Sequence, residues 1–312
     1  MQSGFSYDKL MNGSIDLFND RISRMTRPNF KKVLKDQTPL KLIGTFPSNN
    51  YGSTTNTSMN SAKALWQVMQ VFLNDFPEHK TSDKRVSIWT ESYGGHYGPA
   101  IAGVILRQNE KVSSGSLSKN KKIELDTLGI ISGCIDGLVE EISKARFALN
   151  NTYEALINQQ MYDRMRRQWP QCAAAIRRCR QVSDMLDREQ TGGNSQVNSV
   201  CFSTFQACSP VMQTGIGDNR SGYDIAAPAK DPSPPPYPIG YLAQKSVQEA
   251  LGVPLNYTDV IESVNQVFVQ TGDMHRGGKI EDMALALDNG IKVALVFGDR
   301  DAVSVAISLV TS

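Results

Sequence analysis

Ser87–Ala100 reads SIWTESYGGHYGPA, and its reading decides the fold. The stretch continues a short apolar run, Val86–Trp89, of the kind that makes a strand buried in a parallel sheet. Ser92 follows, then the pair Gly94–Gly95, then a helical pattern from His96 to Gln108. Working outward, residues 40–46 (LKLIGTF) read as a short strand. Residues 57–76 place Ala62, Leu65, Trp66, Met69, Phe72 and Leu73 on one helical face. Residues 121–132 (KKIELDTLGIIS) read as another strand. Strand, glycine turn, helix, strand is the βαβ rhythm of a parallel sheet with helices on its faces. From Val139 to Cys208 the pattern turns helical, and Pro228–Pro238 (PAKDPSPPPYP) forms a stiff connector. Helical patterns resume at Tyr241–Leu251 and at 279–288, and Ile291–Phe297 is a strand that runs into GDRD. The simplest topology is an α/β core interrupted by a helical insertion: core 1–138, insertion 139–224, core again 225–312.

Composition narrows the class. The chain has 312 residues, 33 Lys and Arg against 31 Asp and Glu, and a formal net charge of +2. So even a balance argues against general nucleic-acid binding, which draws on a surplus of cations to release counterions. No apolar run reaches the roughly 20 residues a membrane span needs. The opening MQSGFSYDKL has neither a basic nor an apolar leader region, so no signal peptide is expected in this chain.

The chemistry starts at Ser92. A serine on a tight strand-to-helix turn is the nucleophile elbow of α/β-hydrolases, with Thr90 standing where the G-x-S-x-G pattern has its first glycine. Only small side chains fit two residues from such a serine, which is the part of Gly94, followed by Gly95. The turn aims backbone N–H groups, among them that of Tyr93, at a developing oxyanion. A serine hydroxyl needs a base beside it. The triad acid belongs on a turn after a buried strand late in the chain, and Asp299 and Asp301 of GDRD compete for that role. The histidine should follow the acid, yet no histidine follows Asp301. His79 reads as a loop residue, His96 as a helix residue facing away from Ser92, and His275 as part of a polar stretch. No metal or other cofactor is called for.

Five cysteines and five sequons remain. Cys134 stands alone, whereas Cys172 and Cys179, and Cys201 and Cys208, are each seven apart, two helical turns. Four cysteines allow three pairings; if their segments run antiparallel, Cys172–Cys208 with Cys179–Cys201 is the natural one, and four buried thiols is the alternative. The gaps do not suit zinc. Asn12, Asn56, Asn150, Asn219 and Asn256 each begin N-x-S/T, a pattern of the secretory route. Six arginines between Arg164 and Arg180 read as a solvated helix face.

WTESYGGHYGPA strongly resembles the active-serine segment of serine carboxypeptidases, the fungal ones above all. QSGFSYD, NSAKALWQVMQVFLNDFPEHK, LDTLGIISGCIDGLVE, the cysteine-bearing insertion, SGYDIAAPAKDPSPPPYPIGYLAQKSVQEALGVPLNYT and VALVFGDRD resemble that family in its order, over nearly the whole chain. The resemblance implies an α/β-hydrolase-like, mostly parallel sheet with a helical, disulfide-bearing cap. It implies Ser92 as the acylated nucleophile, Tyr93 as a backbone oxyanion donor, Asp301 rather than Asp299 as the triad acid, and Glu91 as the group binding the substrate's C-terminal carboxylate. A carboxylate would repel a carboxylate, so Glu91 must keep its proton, which favours acidic pH and a vacuolar or secreted setting. The substrates implied are peptides or proteins with a free C-terminus.

The chain departs from the family in two places. It shows neither the Gly-Gly-Pro-Gly segment, which supplies another oxyanion donor, nor the histidine after the acid; AVSVAISLV resembles the helix that follows a longer loop in the family. The expectation is a fragment or incomplete gene model, inactive alone. A carboxypeptidase-like acyltransferase and a non-catalytic binding protein on the same fold are the alternatives. Loss of an opening set of strands and of the final strand and helix is expected to expose apolar sheet edges, which invite aggregation.

Overall fold

The structure is a computed structural model that describes residues 15–16, 21–22, 55–76, 83–212, 220–229, 237–251 and 262–304. The expected strand at 40–46, His79, and the sequons at Asn12, Asn219 and Asn256 lie outside these residues. Near the start, β1 (Ile15–Asp16) and β2 (Arg21–Ile22) pair antiparallel.

The centre is a parallel sheet of β3 (Val86–Glu91), β4 (Leu125–Ile131) and β5 (Lys292–Val296), in the order β3-β4-β5. The first two are joined by α2 (Gly94–Ser113), the crossover that a parallel pair requires. The helix α1 (Ser58–Asp75) begins at Thr57, whose hydroxyl accepts the Asn60 N–H at 3.1 Å, and it packs on α2. Trp66, Ile101, Val104, Ile105, Leu128 and Ile130 form the core between helices and sheet. Further on, α9 (Lys279–Asp288) leads through a turn into β5 and packs on α2, with Ala286 buried. The helix α8 (Glu262–Thr271) adds Val264 and Phe268 to that core; no expectation covered it, because its polar face dominates the sequence pattern.

The insertion is helical, as expected. It runs through α3 (Gly137–Leu149), α4 (Gln159–Leu186) and α5 (Ser195–Cys208). Disulfides Cys172–Cys208 and Cys179–Cys201 join α4 to α5 in the nested pairing. Cys134 is free and buried. The helix expected at Tyr241–Leu251 is two short ones, α6 (Tyr237–Leu242) and α7 (Lys245–Leu251). Five of the six arginines in α4 are exposed; Arg180 instead turns inward and pairs with Asp136 at 2.9 Å.

Candidate active site

Ser92 closes β3 and holds a backbone φ of 58°, left-handed and rare for a serine. Two groups pin it there. Its N–H donates to Ile131 O at 3.0 Å, and its carbonyl accepts from Gly95 N–H and Cys134 N–H, both at 2.9 Å. The glycines are dictated by space. A Cβ on Gly94 would stand 2.5 Å from Thr90 Cβ, and one on Gly95 would stand 2.4 Å from Cys134 O. Thr90, in the position of the missing glycine, is therefore accommodated by Gly94 and Gly98 opposite it. Ser92 itself is half-buried.

Tyr93 is the first residue beyond the bend. Among the described residues its N–H meets no acceptor, so it stays available to an oxyanion. Its ring stacks on His96 at 4.6 Å, and its hydroxyl donates to Asp273 Oδ2 at 2.7 Å. Asp273 is fully buried and also accepts Ser58 N–H at 2.8 Å and the Ser58 hydroxyl at 2.5 Å. Burial alone would raise its carboxyl, but Lys279, His96 and these donors hold it below the ordinary range. The elbow, the start of α1 and the turn at 273–275 are thus fastened at one carboxylate.

Asp301 lies on the turn after β5. It is 6% exposed, and its Oδ1 accepts Val303 N–H at 2.8 Å and Ser304 N–H at 3.0 Å. Burial pushes its carboxyl up, against hydrogen bonds from Ser304 and the Ser132 hydroxyl. Ser132 N–H donates to Val296 O, and Cys134 Sγ lies 3.3 Å from Ser304 Oγ. The segment Ser132–Cys134, just past β4, therefore touches the Ser92 bend on one side and the Asp301 turn on the other. All three follow neighbouring parallel strands at their carboxyl ends, where α/β folds bind ligands. Asp299 points elsewhere: it is exposed and accepts the Thr152 hydroxyl at 3.2 Å. Glu91, the last residue of β3, is exposed.

Neither described histidine offers a base to Ser92. His96 is buried with Nδ1 2.5 Å from Cys134 O and Nε2 3.0 Å from Met274 O. Burial, then Lys279, brings its pKa down to about 4. His275, expected in a polar stretch, is fully buried against the Phe205 ring at 4.7 Å. Its pKa falls to about 3 through burial and then the nearby His96 and Arg180. Among the described residues no group of His, Cys, Asp and Glu is arranged to hold a metal.

Sequence reasoning missed the buried polar residues that support this site. Glu140 is 4% exposed, and its Oε1 accepts Ile135 N–H at 2.5 Å and Asp136 N–H at 3.2 Å, bracing the segment beside Ser92. Burial raises its pKa to about 7 although Lys144 opposes the shift. Arg276, 1% exposed, bonds Asp187 at 2.8 Å, Asn198 at 2.6 Å and Thr271 O at 3.0 Å, joining the insertion to the core. Only their clustering near GD and GCIDG could have marked them.

Comparison with known proteins agrees with the geometry. Residues 45–309 match the family model described as serine carboxypeptidase. A carboxypeptidase S1 homolog A from Arthroderma otae is 38% identical over 96% of this chain and 47% of its own length. A carboxypeptidase Y homolog from Arthroderma benhamiae is also 38% identical, over 96% of this chain and 49% of its own. The chain spans about half the length of these curated relatives. The crystal structure of a prohormone-processing carboxypeptidase from Saccharomyces cerevisiae superposes with a TM-score of 0.58 at 17% identity, covering 83% of this chain and 53% of that one. That likeness shows the α/β-hydrolase fold with its mostly parallel sheet. The chain belongs to the serine carboxypeptidase family.

Proposed function

We propose that this chain carries the acyl-transfer half of a serine-type carboxypeptidase, with Ser92 as the residue that is acylated when the last peptide bond of a substrate is cut. The observation that carries the reading is the left-handed bend at Ser92, held by Ile131, Gly95 and Cys134, with only β4 and the segment after it between this bend and the turn that bears Asp301. In this reading the Ser92 hydroxyl attacks the scissile carbonyl, Tyr93 N–H receives the oxyanion, and Asp301 orients the base. Glu91 binds the substrate's terminal carboxylate. Residues 1–138 and 225–312 form the catalytic core and 139–224 the cap. Acid operation, the sequons and the fungal relatives support a vacuolar or secreted setting; no described helix is long and apolar enough to cross a membrane.

The base is the departure. His96 is buried with its ring nitrogens beside the carbonyls of Cys134 and Met274, of which a neutral imidazole donates to one, and His275 is sealed in the interior, so no described histidine is placed to take the Ser92 proton. An unactivated serine is a poor nucleophile. The 312 residues by themselves are therefore expected to release no C-terminal amino acid from an N-blocked dipeptide beyond a Ser92→Ala control, at pH 5 or 7. Release that vanishes in the control would keep Ser92 and refute the missing base; release that survives in the control would refute the assignment of Ser92.

A further inference from the structure

The peptidase reading leaves the sequons unused, and the two that lie on described residues have opposite surroundings. Asn56 sits in a seam between α1 and the insertion. Its Oδ1 accepts from Asn60 Nδ2 at 2.7 Å, and its carbonyl accepts the Thr271 hydroxyl at 2.7 Å. A Cβ on Gly192 would stand 2.7 Å from its Nδ2, so the amide faces backbone directly. Thr57 beside it is fully buried and donates to Gln190 O at 2.8 Å. Ser58, the hydroxyl residue of the sequon, is buried on Asp273. Asn56 itself is half-buried, and a sugar on its Nδ2 would press on the Gly192 backbone.

Asn150 is the reverse. It caps the end of α3 with an extended backbone, φ −141° and ψ 108°, and is exposed. Its backbone N–H donates to Arg146 O at 2.9 Å, while its side-chain amide has no partner among the described residues. The next residue, Asn151, accepts Tyr153 N–H and Glu154 N–H at 2.9 Å each, which folds the sequon into a surface turn. Thr152 is exposed as well.

We infer that Asn150 is an N-glycosylated residue of the folded protein and that Asn56 is not. In the transfer, Asn150 Nδ2 bonds to C1 of the first sugar of a lipid-diphosphate-linked oligosaccharide. The C1–O bond to the diphosphate breaks, and the amide proton leaves with the lipid diphosphate. Transfer meets the unfolded chain, so sequence alone permits both sites; folding separates them. A glycan on Asn150 projects into solvent, whereas one on Asn56 holds α1 off the Gly192 loop and keeps that chain out of the folded pool. The glycan at Asn150 stands beside the turn that bears Asp301, because Thr152 of the same sequon bonds Asp299.

The inference rests on the secretory setting proposed above, and the experiment supplies that setting so that the two can fail separately. The chain is expressed behind a cleavable secretory leader in a fungal host, and the protease-resistant, disulfide-bonded fraction is collected. Glycans are removed with peptide N-glycosidase in heavy-oxygen water, and the peptides are weighed. The Asn150 peptide is expected to carry the heavy-oxygen aspartate mark and the Asn56 peptide to lack it. Asn150→Gln is expected to lose one glycan increment, and Asn56→Gln none. An unmarked Asn150 in the folded fraction, or a marked Asn56, overturns the inference, whichever compartment the native protein occupies. The wild-type peptide map decides the matter even if a variant fails to fold.

Discussion

At the scale of single residues, the site is a matter of clearance. Gly95 lies where any side chain would press into the Cys134 carbonyl, the same residue whose N–H holds Ser92. Gly95→Ala is expected to destabilise the fold by about 3 kcal/mol, read from urea unfolding, because backbone cannot retreat as a side chain can. This part of the site was legible from sequence, since a strand, a serine and two glycines leave few other readings. The buried ionisable residues were not: Asp273 and Arg276 meet partners far away in sequence, and Glu140, whose partners are close by, is buried only by the tertiary fold. Among these, Glu140 makes a measurable prediction. Its pKa of about 7 exceeds the ordinary 4.5, with Lys144 and Glu141 from its own helix and Cys134 from the adjoining segment as charged or titratable neighbours. The folded state keeps a proton that the unfolded chain gives up, so this stability is complete below pH 4.5 and is lost as pH rises through 7. His96 and His275, held neutral, act oppositely: their contribution is complete above 6.5 and is lost as pH falls towards 4 and 3. Glu140→Gln removes the first effect and leaves the second. On going from pH 7 to 4.5 the variant should lose more stability than the wild type, by on the order of 3 kcal/mol. Equal losses in urea titrations at both pH values would contradict the protonated Glu140.

At the scale of elements, the insertion is held to the core by a few buried contacts. The seven-residue cysteine spacing suited a nested pairing only if the two segments ran antiparallel, with four buried thiols as the alternative, and α4 and α5 carry the nested disulfides. The spacing gave no sign of the second fastening, Arg276 to Asp187, which ties the end of α4 to the turn before α9 with both side chains nearly solvent-free. Such a pair adds little net stability over apolar residues, yet removing one partner strands a buried charge. Asp187→Asn should therefore cost roughly 3–5 kcal/mol in thermal or chemical unfolding. A cost under about 1 kcal/mol would show that water reaches Arg276. The helix α8 escaped the sequence reading for a related reason: Val264 and Phe268 supply a narrow apolar stripe, and the tertiary contact with Tyr93 and Tyr97 makes the element.

At the scale of the whole molecule, one face of the sheet is covered by α2 and α9 and the other is open among the described residues. Trp89, Ile131 and Val296 share that open face through the β3-β4-β5 register and are 57%, 39% and 50% exposed. The apolar exposure among the described residues thus falls on a face of the sheet, whereas the expectation was of exposed sheet edges. The α/β class was readable because hydrophobic period and glycine turns are local signals; the strand order β3-β4-β5 was not, since pairing joins segments far apart in the chain. The preference for Asp301 over Asp299 came only through the family resemblance, and in the structure Asp301 is the buried one of the two. The central proposal is that Ser92 is poised for acylation and that no histidine among the described residues serves as its base. Treating the 312 residues with an alkyl fluorophosphonate, with and without added imidazole, and mapping the adduct by mass tests both parts. Imidazole can take the hydroxyl proton that no described histidine can take, so Ser92 should be phosphonylated selectively in its presence and barely without it. Labelling of Ser92 no faster than that of surface serines when imidazole is present would contradict the account.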